Sequence, residues 1–191
     1  MRKLLIITGL IFTITSCDVL NQMGEIKRFA ECDFTISTVK VEKLGGINIS
    51  NYNDPDDLNF SDMMILGQKL VSGSLEAKMK VTINALNKDV KKASISGVEW
   101  QLFMKDIQYS NGRIEEYVEV LPGTSTDFNV DVSFDMLKVL KSEKLGTILS
   151  MVLDGNNSHN LQELELAVKV KPYYTSNGKL HEYPGFITIR P

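Results

Sequence analysis

Histidine, cysteine and tryptophan are scarce in this chain, whose 191 residues include two histidines, two cysteines and one tryptophan. Neither His159 nor His181 has a partner at metal-ligand spacing. The chain also lacks a Gly-x-Ser-x-Gly elbow, a glycine-rich phosphate loop and a Cys-x-x-Cys pair. These absences predict a protein without a metal site, a cofactor or a catalytic group, and therefore a non-enzyme.

An excess of one charge is also missing, because 21 Lys and Arg residues oppose 24 Asp and Glu residues, for a net charge of -3. A nucleic-acid-binding protein needs a strongly basic surface, so this class of protein is excluded. Hydrophobic residues make up 43% and charged residues 24% of the chain, as in ordinary globular proteins. This composition excludes a multi-span membrane protein and a disordered chain, and the length suits a single domain.

The longest apolar run lies at the N-terminus. It extends from residue 4 to residue 14, follows two basic residues and leads into Ile14-Thr15-Ser16-Cys17. The run is shorter than the about 20 residues that span a bilayer. A basic start, an apolar middle and small residues before a cleavage site are typical of a secretory signal peptide. Because Cys17 then offers a thiol to a diacylglycerol, we predict a lipoprotein signal peptide at residues 1–16 and lipidation of Cys17. A plain secretory signal with a chance cysteine is the alternative.

The segment that follows, residues 17–31, contains few apolar residues in any regular spacing. We predict a tether or a short turn of helix that joins the lipid anchor to a domain formed by residues 32–191. Lipidation leaves Cys32 as a lone thiol, which we interpret as a small buried hydrophobic side chain. A Cys17–Cys32 disulfide is the competing prediction. The anchor predicts a protein of the bacterial cell envelope that contacts a membrane through acylated Cys17, with the membrane and its side left open.

Period-two alternation dominates the rest of the chain. In residues 75–83 apolar and polar side chains alternate, which predicts a half-buried antiparallel strand. The same pattern predicts strands at residues 98–104, 128–134 and 164–170, and weaker strands at residues 34–41, 47–49, 60–66, 114–120 and 186–189. Turn signals occur at Asn53-Asp54-Pro55-Asp56, Ser110-Asn111-Gly112, Leu121-Pro122-Gly123 and Ser176-Asn177-Gly178. Helical spacing at residues 135–140 and 145–152 predicts one or two short helices. Because short strands separated by turns dominate the chain, the sequence predicts an all-β sandwich or barrel.

Four motifs resemble a known family. They are Val81-Thr82-Ile83-Asn84-Ala85-Leu86-Asn87-Lys88, the strand at residues 93–102, the turn at Asn111-Gly112 and the turn Leu121-Pro122-Gly123. Together they resemble the late embryogenesis abundant type 2 domain, also called the water stress and hypersensitive response domain, over roughly Phe34 to Leu140. The resemblance implies an immunoglobulin-like or fibronectin-like antiparallel β-sandwich, in a family whose bacterial members are often lipoproteins. It implies no catalytic residues, because a fold of this kind does not specify a reaction.

Four aromatic residues lie close together near the C-terminus, namely Tyr173, Tyr174, Tyr183 and Phe186. Tyrosines in loops supply rigid, amphipathic contact area, so we predict a binding surface at these residues. The alternative is that the rings cover the open end of the sandwich.

The densest acidic run extends from Asn51 to Asp62. Its clustered carboxylates and amides are the ligand types that calcium prefers. However, Leu58 stands where an EF-hand loop needs an oxygen ligand. A solvated turn is therefore the favoured interpretation, since Asn, Asp and Pro are turn formers in their own right.

Two functional hypotheses follow. The favoured one is a non-enzymatic, lipid-anchored envelope lipoprotein that acts as a binding module for an unknown envelope protein or ligand. A solid core with an exposed aromatic patch larger than about 400 Å² would support it. The alternative is a carrier or chaperone for a small apolar ligand held between the sheets, which requires an apolar cavity on the order of several hundred Å³.

Overall fold

The structure is a computed structural model that describes residues 14–53, 55–140, 165–176 and 178–191. Within these ranges the chain forms three α-helices and eleven β-strands. The helices are α1 (Ile14–Ala30), α2 (Phe60–Ser72) and α3 (Met136–Leu140). The strands are β1 (Asp33–Leu44), β2 (Ile47–Asn48), β3 (Glu76–Leu86), β4 (Ala93–Ile95), β5 (Gly97–Met104), β6 (Ile107–Ile114), β7 (Val118–Val120), β8 (Ser125–Asp135), β9 (Ala167–Ser176), β10 (Lys179–Glu182) and β11 (Ile187–Ile189).

Two antiparallel sheets form the body of the molecule. The first has the strand order β2-β1-β3-β8 and the second the order β10-β9-β5-β6, with β11 also paired to β9. Strands β4 and β7 form a separate two-stranded ladder. Pairs such as β3 with β8 and β5 with β9 join distant parts of the chain, which is typical of immunoglobulin-like sandwiches. The predicted all-β antiparallel sandwich is therefore confirmed.

The core lies between the two sheets and follows the predicted alternation. Inward-facing residues on β3 and β8 are buried, whereas their neighbours in the chain are exposed or half-buried. The facing sheet contributes Val98, Trp100, Leu102, Val168 and Val170. Burial of these apolar side chains stabilises the sandwich by about 25 cal/mol for each Å² that is removed from water.

The turn predicted at Ser110-Asn111-Gly112 is wrong, because these residues lie inside β6. The hairpin between β5 and β6 turns instead at Lys105 and Asp106, whose φ angles are 47° and 59°. Gly112 pairs directly with Trp100, and a Cβ at Gly112 would lie 2.6 Å from Cζ2 of the indole ring. The glycine therefore makes room for the tryptophan rather than for a turn. The strand predicted at residues 114–120 is interrupted between β6 and β7.

The strand predicted at residues 60–66 is also wrong, since this segment is the first half of helix α2. Asn59 caps the helix by accepting a hydrogen bond from the backbone N–H of Asp62, and the Asp62 carboxylate accepts one from the N–H of Asn59. Such a capping box fixes a helix start. Gly73, with a φ of 75°, ends the helix in the left-handed conformation.

Helix α1 is longer than the short turn expected for residues 17–31, and its C-terminal half packs on the sandwich. Ile26 and Phe29 are buried, and the Phe29 ring lies 5.4 Å from the ring of Phe34 and 6.0 Å from that of Phe128. The segment therefore contributes to the core of the domain. No helix in the described part of the chain is long and apolar enough to cross a membrane. Residues 1–13 of the predicted signal peptide and the predicted helix at residues 145–152 lie outside the described residues.

Cys32 is buried and unpaired, which agrees with its interpretation as a small hydrophobic side chain rather than half of a disulfide. Its thiol donates a hydrogen bond to the carbonyl oxygen of Arg28 at 3.4 Å. Burial, together with the negative charge of Asp33, raises the pKa of Cys32 to about 11. Because the thiolate is the reactive form, this cysteine is chemically inert at neutral pH.

Candidate binding sites

The structure separates the four aromatic residues that were predicted to form one surface. Tyr173 and Tyr174 lie in β9 rather than in a loop and are only 3% and 5% exposed. Successive residues of a strand point to opposite faces, so the two rings cannot share one patch. Tyr183 is half-buried against the core, and Phe186 is the exposed member of the group. The burial of Tyr173 and Tyr174 favours the alternative, in which the rings are packing residues.

Each buried tyrosine has its own surroundings. The Tyr173 hydroxyl donates to the carbonyl oxygen of Ile114 at 2.8 Å, and the Arg113 guanidinium carbon lies 4.9 Å from the Tyr173 ring centroid. Burial raises the pKa of Tyr173. The Tyr174 ring stacks on His181 with a centroid distance of 4.7 Å and an interplanar angle of 8°. His159 lies outside the described residues.

Carboxylates of the acidic run from Asn51 to Asp62 accept hydrogen bonds from nearby backbone N–H groups. The buried Asp62 carboxylate caps α2 and also accepts a hydrogen bond from the Tyr52 hydroxyl at 3.0 Å. The Asp57 carboxylate accepts one from the backbone N–H of Asn53 at 2.7 Å. Among the residues that the structure describes, no group of three His, Cys, Asp or Glu side chains could hold a metal ion.

Helix α2 exposes an apolar stripe that the sequence reading did not identify. Phe60, Met63, Met64 and Val71 are between 54% and 91% exposed. Residues spaced by three, four and seven positions share one face of a helix, so these side chains form a continuous stripe, here called the α2 face. The opposite side of α2 packs on the sandwich through Leu66.

A glycine lies in the middle of the α2 face. Gly67 is spaced by three, four and seven residues from Met64, Met63 and Phe60, and no atom lies within 4 Å of the position that its Cβ would occupy. Glycine in a helix interior costs about 1 kcal/mol relative to alanine. Packing among the described residues does not require a glycine here, so the missing side chain leaves open space on the surface of the helix.

A second site lies between α1 and the strands β4 and β9. It is a cavity of about 310 Å³, here called the helix-strand cavity. Its lining residues are Asn21, Gln22 and Glu25 from α1, Lys92, Ser94, Ile95, Ser96, Tyr117 and Tyr174. The volume is at the lower end of the range of about 300 to 1,000 Å³ that small-molecule sites occupy.

The charged groups at the helix-strand cavity are paired with one another. Lys92 Nζ lies 3.0 Å from Oε2 of Glu119 and 3.7 Å from Oε1 of Glu25. The Tyr117 hydroxyl donates to Glu119 at 2.8 Å, and the Ser94 hydroxyl donates to Glu25. The hydrogen bond to Glu119, helped by the charge of Glu25, raises the pKa of Lys92. Hydrogen bonds from Lys92 and Tyr117 lower the pKa of Glu119, so both groups are ionised at neutral pH.

Two residues that line this cavity each carry a buried polar atom without a partner among the described residues. Among the described residues, Oε1 of Gln22 and the hydroxyl of Tyr174 are the buried side-chain N and O atoms that lack a hydrogen bond. Buried polar groups are almost always hydrogen-bonded, because an unpaired one costs about 1 to 3 kcal/mol. Both residues line the same cavity, but the two unpaired atoms are themselves shielded from solvent.

Two further clefts lie beside Trp100. One of about 530 Å³ includes Lys80 and Arg113, and another of about 340 Å³ includes Phe186. The two basic side chains in the larger cleft are engaged, since Lys80 Nζ lies 2.8 Å from Glu42 and Arg113 pairs with Glu99. These clefts contain none of the unpaired buried atoms found at the helix-strand cavity within the described part of the chain.

Comparisons with known proteins add no functional information. No protein-family model matches the chain, and no curated protein matches it significantly. A crystal structure of a protein from Archaeoglobus fulgidus matches with 14% identity and a TM-score of 0.33, over 59% of this chain and 82% of that one. A protein from Bordetella pertussis matches with 10% identity and a TM-score of 0.31, over 83% of this chain and 94% of that one. The fold assignment therefore stands on the strand pairing alone.

Proposed function

We propose that this protein is a non-enzymatic, lipid-anchored lipoprotein of a bacterial envelope that binds a helix of a partner protein through the α2 face. The observation that carries this proposal is the exposure of four large apolar side chains, Phe60, Met63, Met64 and Val71, in one continuous stripe. Monomeric proteins rarely expose contiguous apolar patches larger than about a few hundred Å², and such patches mark interaction sites.

The shape of the α2 face favours a helix as the partner. The stripe runs along a single helix over residues 60–71, which is about three turns. Gly67, at the centre of the stripe, has no side chain, so the axis of a second helix can approach closely. Packing of helices along such rows of side chains gives interaxial distances of about 8 to 10 Å. An amphipathic partner helix would therefore bury its apolar side against Met64 and its neighbours.

The anchor would hold the domain at the membrane surface. Cleavage before Cys17 places the acylated residue in the first turn of α1, the helix whose other end packs in the core. Asn21, the first residue of α1 that lines the helix-strand cavity, follows Cys17 by four residues, which is about 6 Å along the helix. Acyl chains bind a bilayer by about 0.8 kcal/mol for each buried methylene, so more than one chain gives durable attachment. We include in this proposal that the chain is a member of the late embryogenesis abundant type 2 domain family, which its sequence resembles.

Among the described residues, the carrier hypothesis receives no comparable support. It requires an apolar cavity between the sheets, whereas the three cavities described above are lined mainly by polar and charged side chains.

The proposal is tested by placing a charge on the α2 face. Met64→Glu is compared with Lys69→Glu, since both positions are exposed on the same helix and Lys69 has none of the spacings that would place it on the stripe. After cross-linking in native cells, we expect a specific partner with the wild type and with Lys69→Glu, and its loss with Met64→Glu and with the unanchored Cys17→Ser chain. Recovery of the same partner at equal yield with Met64→Glu would contradict the proposal. Recovery of a second copy of this chain would identify the partner helix as α2 itself.

A further inference from the structure

Strand β8 has a backbone edge that pairs with no other strand. Among the described residues β8 pairs only with β3, at the end of the first sheet, and the chain that leads from β6 to β7 runs beside its other edge. Two side-chain bonds hold this chain to β8. The Ser110 hydroxyl donates to the carbonyl oxygen of Ser133 at 2.7 Å, and the Thr126 hydroxyl donates to that of Glu119 at 2.9 Å. Between these two bonds the edge of β8 is available to a further strand.

The larger of the two clefts beside Trp100 lies between the same two bonds and is here called the seam cleft. It has a volume of about 530 Å³, within the range of about 300 to 1,000 Å³ that ligand sites occupy. Its lining includes residues 112–116, which follow Ser110 in the chain, and Asn129 and Asp131, which follow Thr126 on β8. The cleft therefore opens directly onto the unpaired edge.

The indole N–H of Trp100 is an unused hydrogen-bond donor at the seam cleft. Trp100 lines the cleft and is only 5% exposed. A Cβ at Gly112 would lie 3.1 Å from Nε1, so the missing side chain leaves the N–H edge of the ring uncovered. This N–H has no partner among the described residues, and it is not one of the unpaired atoms that are shielded from solvent. Because an indole nitrogen only donates, it needs an acceptor on the ligand.

The seam cleft also has an excess of negative charge. Its two basic side chains are paired with acids outside the lining, Lys80 with Glu42 and Arg113 with Glu99. Three carboxylates of the lining form no ion pair and no hydrogen bond among the described residues, namely those of Glu115, Glu116 and Asp131. A cleft lined by one sign of charge concentrates ligands of the opposite sign. A cation is therefore favoured and an anion is repelled.

An extended peptide with a basic side chain satisfies all three features. Its backbone can pair with the free edge of β8, as in the recognition of peptides by strand addition. One of its carbonyl oxygens can accept from Nε1 of Trp100, and a Lys or Arg side chain can bond to the carboxylates of the cleft. A small cation would leave the strand edge unpaired.

We propose that the seam cleft binds a basic, extended segment of a partner protein, which adds to the edge of β8 and places a cationic side chain between Glu115, Glu116 and Asp131. The inference goes beyond the proposed function and does not rest on it, because the cleft contains no residue of the α2 face or of the lipid anchor.

The test uses the full purified chain in vesicles of phosphatidylcholine, a lipid without net charge. The probe is the acetylated and amidated peptide Val-Thr-Lys-Thr-Val, whose β-branched residues favour an extended backbone. The same peptide with Glu in place of Lys is its matched control, and n-butylamine offers the ammonium group without a backbone. The readout is the fluorescence of Trp100, which is the single tryptophan of the chain and lines the cleft.

The variants remove the charges of the cleft and keep the size of each side chain. They are Glu115→Gln, Glu116→Gln and Asp131→Asn, made singly and together. Asp106→Asn is the matched control, because Asp106 is an exposed carboxylate in the turn between β5 and β6, outside the lining. Circular dichroism and thermal unfolding of every variant establish that the fold is retained.

We expect a saturable change in Trp100 fluorescence with the Lys peptide that weakens as salt is added, and no change with the Glu peptide or the amine. Exposed ion pairs are individually weak, so each single substitution should lower the affinity about twofold to threefold and the three together about tenfold, with no effect of Asp106→Asn.

Three results would overturn the proposal: no fluorescence change in the wild type, equal binding of the Glu peptide, or an unchanged affinity in the folded triple variant. Equal binding of n-butylamine would contradict strand addition, because the cleft would then take a free cation. The comparison of the two peptides on the wild type is decisive even when the triple variant does not fold.

Discussion

Adjacent tyrosines in β9 should respond in opposite directions to the same substitution. Tyr173 and Tyr174 are both buried, and Phe retains the ring of each while removing its hydroxyl. The Tyr173 hydroxyl is bonded to the Ile114 carbonyl at 2.8 Å, whereas the Tyr174 hydroxyl has no partner among the described residues. The two variants therefore separate the effect of a satisfied hydroxyl from that of an unsatisfied one at neighbouring positions.

The expected magnitudes follow from the hydrogen bonds. Tyr173→Phe loses a bond with a net value of about 1 kcal/mol, so its free energy of unfolding should fall by at least that amount. Tyr174→Phe removes a buried polar atom whose burial without a partner costs about 1 to 3 kcal/mol, so its free energy of unfolding should rise by about 1 kcal/mol. For a domain of this size each kcal/mol shifts the melting temperature by about 2 to 4 °C.

Urea unfolding followed by tryptophan fluorescence measures both variants. The single tryptophan, Trp100, is 5% exposed in the core and reports loss of the sandwich directly. The measurement is made without added ligand. A fall in stability of Tyr174→Phe that equals the fall in Tyr173→Phe would refute the reasoning, because it would show that the Tyr174 hydroxyl is satisfied in the free protein.

Three further predictions concern packing, reactivity and the α2 face. Gly112→Ala should destabilise the fold by about 1 to 3 kcal/mol, since its Cβ would lie 2.6 Å from the Trp100 indole; an unchanged urea midpoint would contradict this. The pKa of Cys32 is raised from 9.0 to about 11, so the stability that its protonated form contributes is complete below pH 9 and is lost as the pH rises through about 11. Alkylation of Cys32 at neutral pH should accordingly be slow until the chain unfolds, as measured by mass spectrometry. Gly67→Ala should raise the free energy of unfolding by about 1 kcal/mol and weaken capture of the partner helix, whereas tighter capture would argue against close helix approach.

The sequence predicted correctly the strands that have one solvent-exposed face and one buried face. Strand β3 alternates so regularly that both its position and its inward face follow from period two alone. The same rule failed at α2, where Met63 to Leu66 form an uninterrupted apolar run that has no period of its own. The decisive signal there was local, since Asn59 and Asp62 have the spacing of a capping box.

The candidate sites were harder to predict than the fold. Tyr174 was identified as a candidate from the sequence, but as a surface residue, because chain position alone does not show that α1 covers it. Gln22, Lys92 and Tyr117 carry no mutual spacing signal, since they come from a helix, a loop and a strand-flanking position that only the folded chain brings together. The α2 face could not be predicted for a different reason. Its residues share one face only if the segment is a helix, and the sequence had predicted a strand there.

Helix α1 also bears on the proposed cleavage of a signal peptide. The bond that a signal peptidase would cut, between Ser16 and Cys17, lies in the first turn of this helix, whereas the side chains that hold it to the sandwich begin near Ile26. Terminal turns of helices fray readily, so the cleavage site can unwind into the peptidase while Phe29 stays in the core. Under the proposed maturation, processing and folding would draw on separate stretches of one helix, and neither step would have to wait for the other.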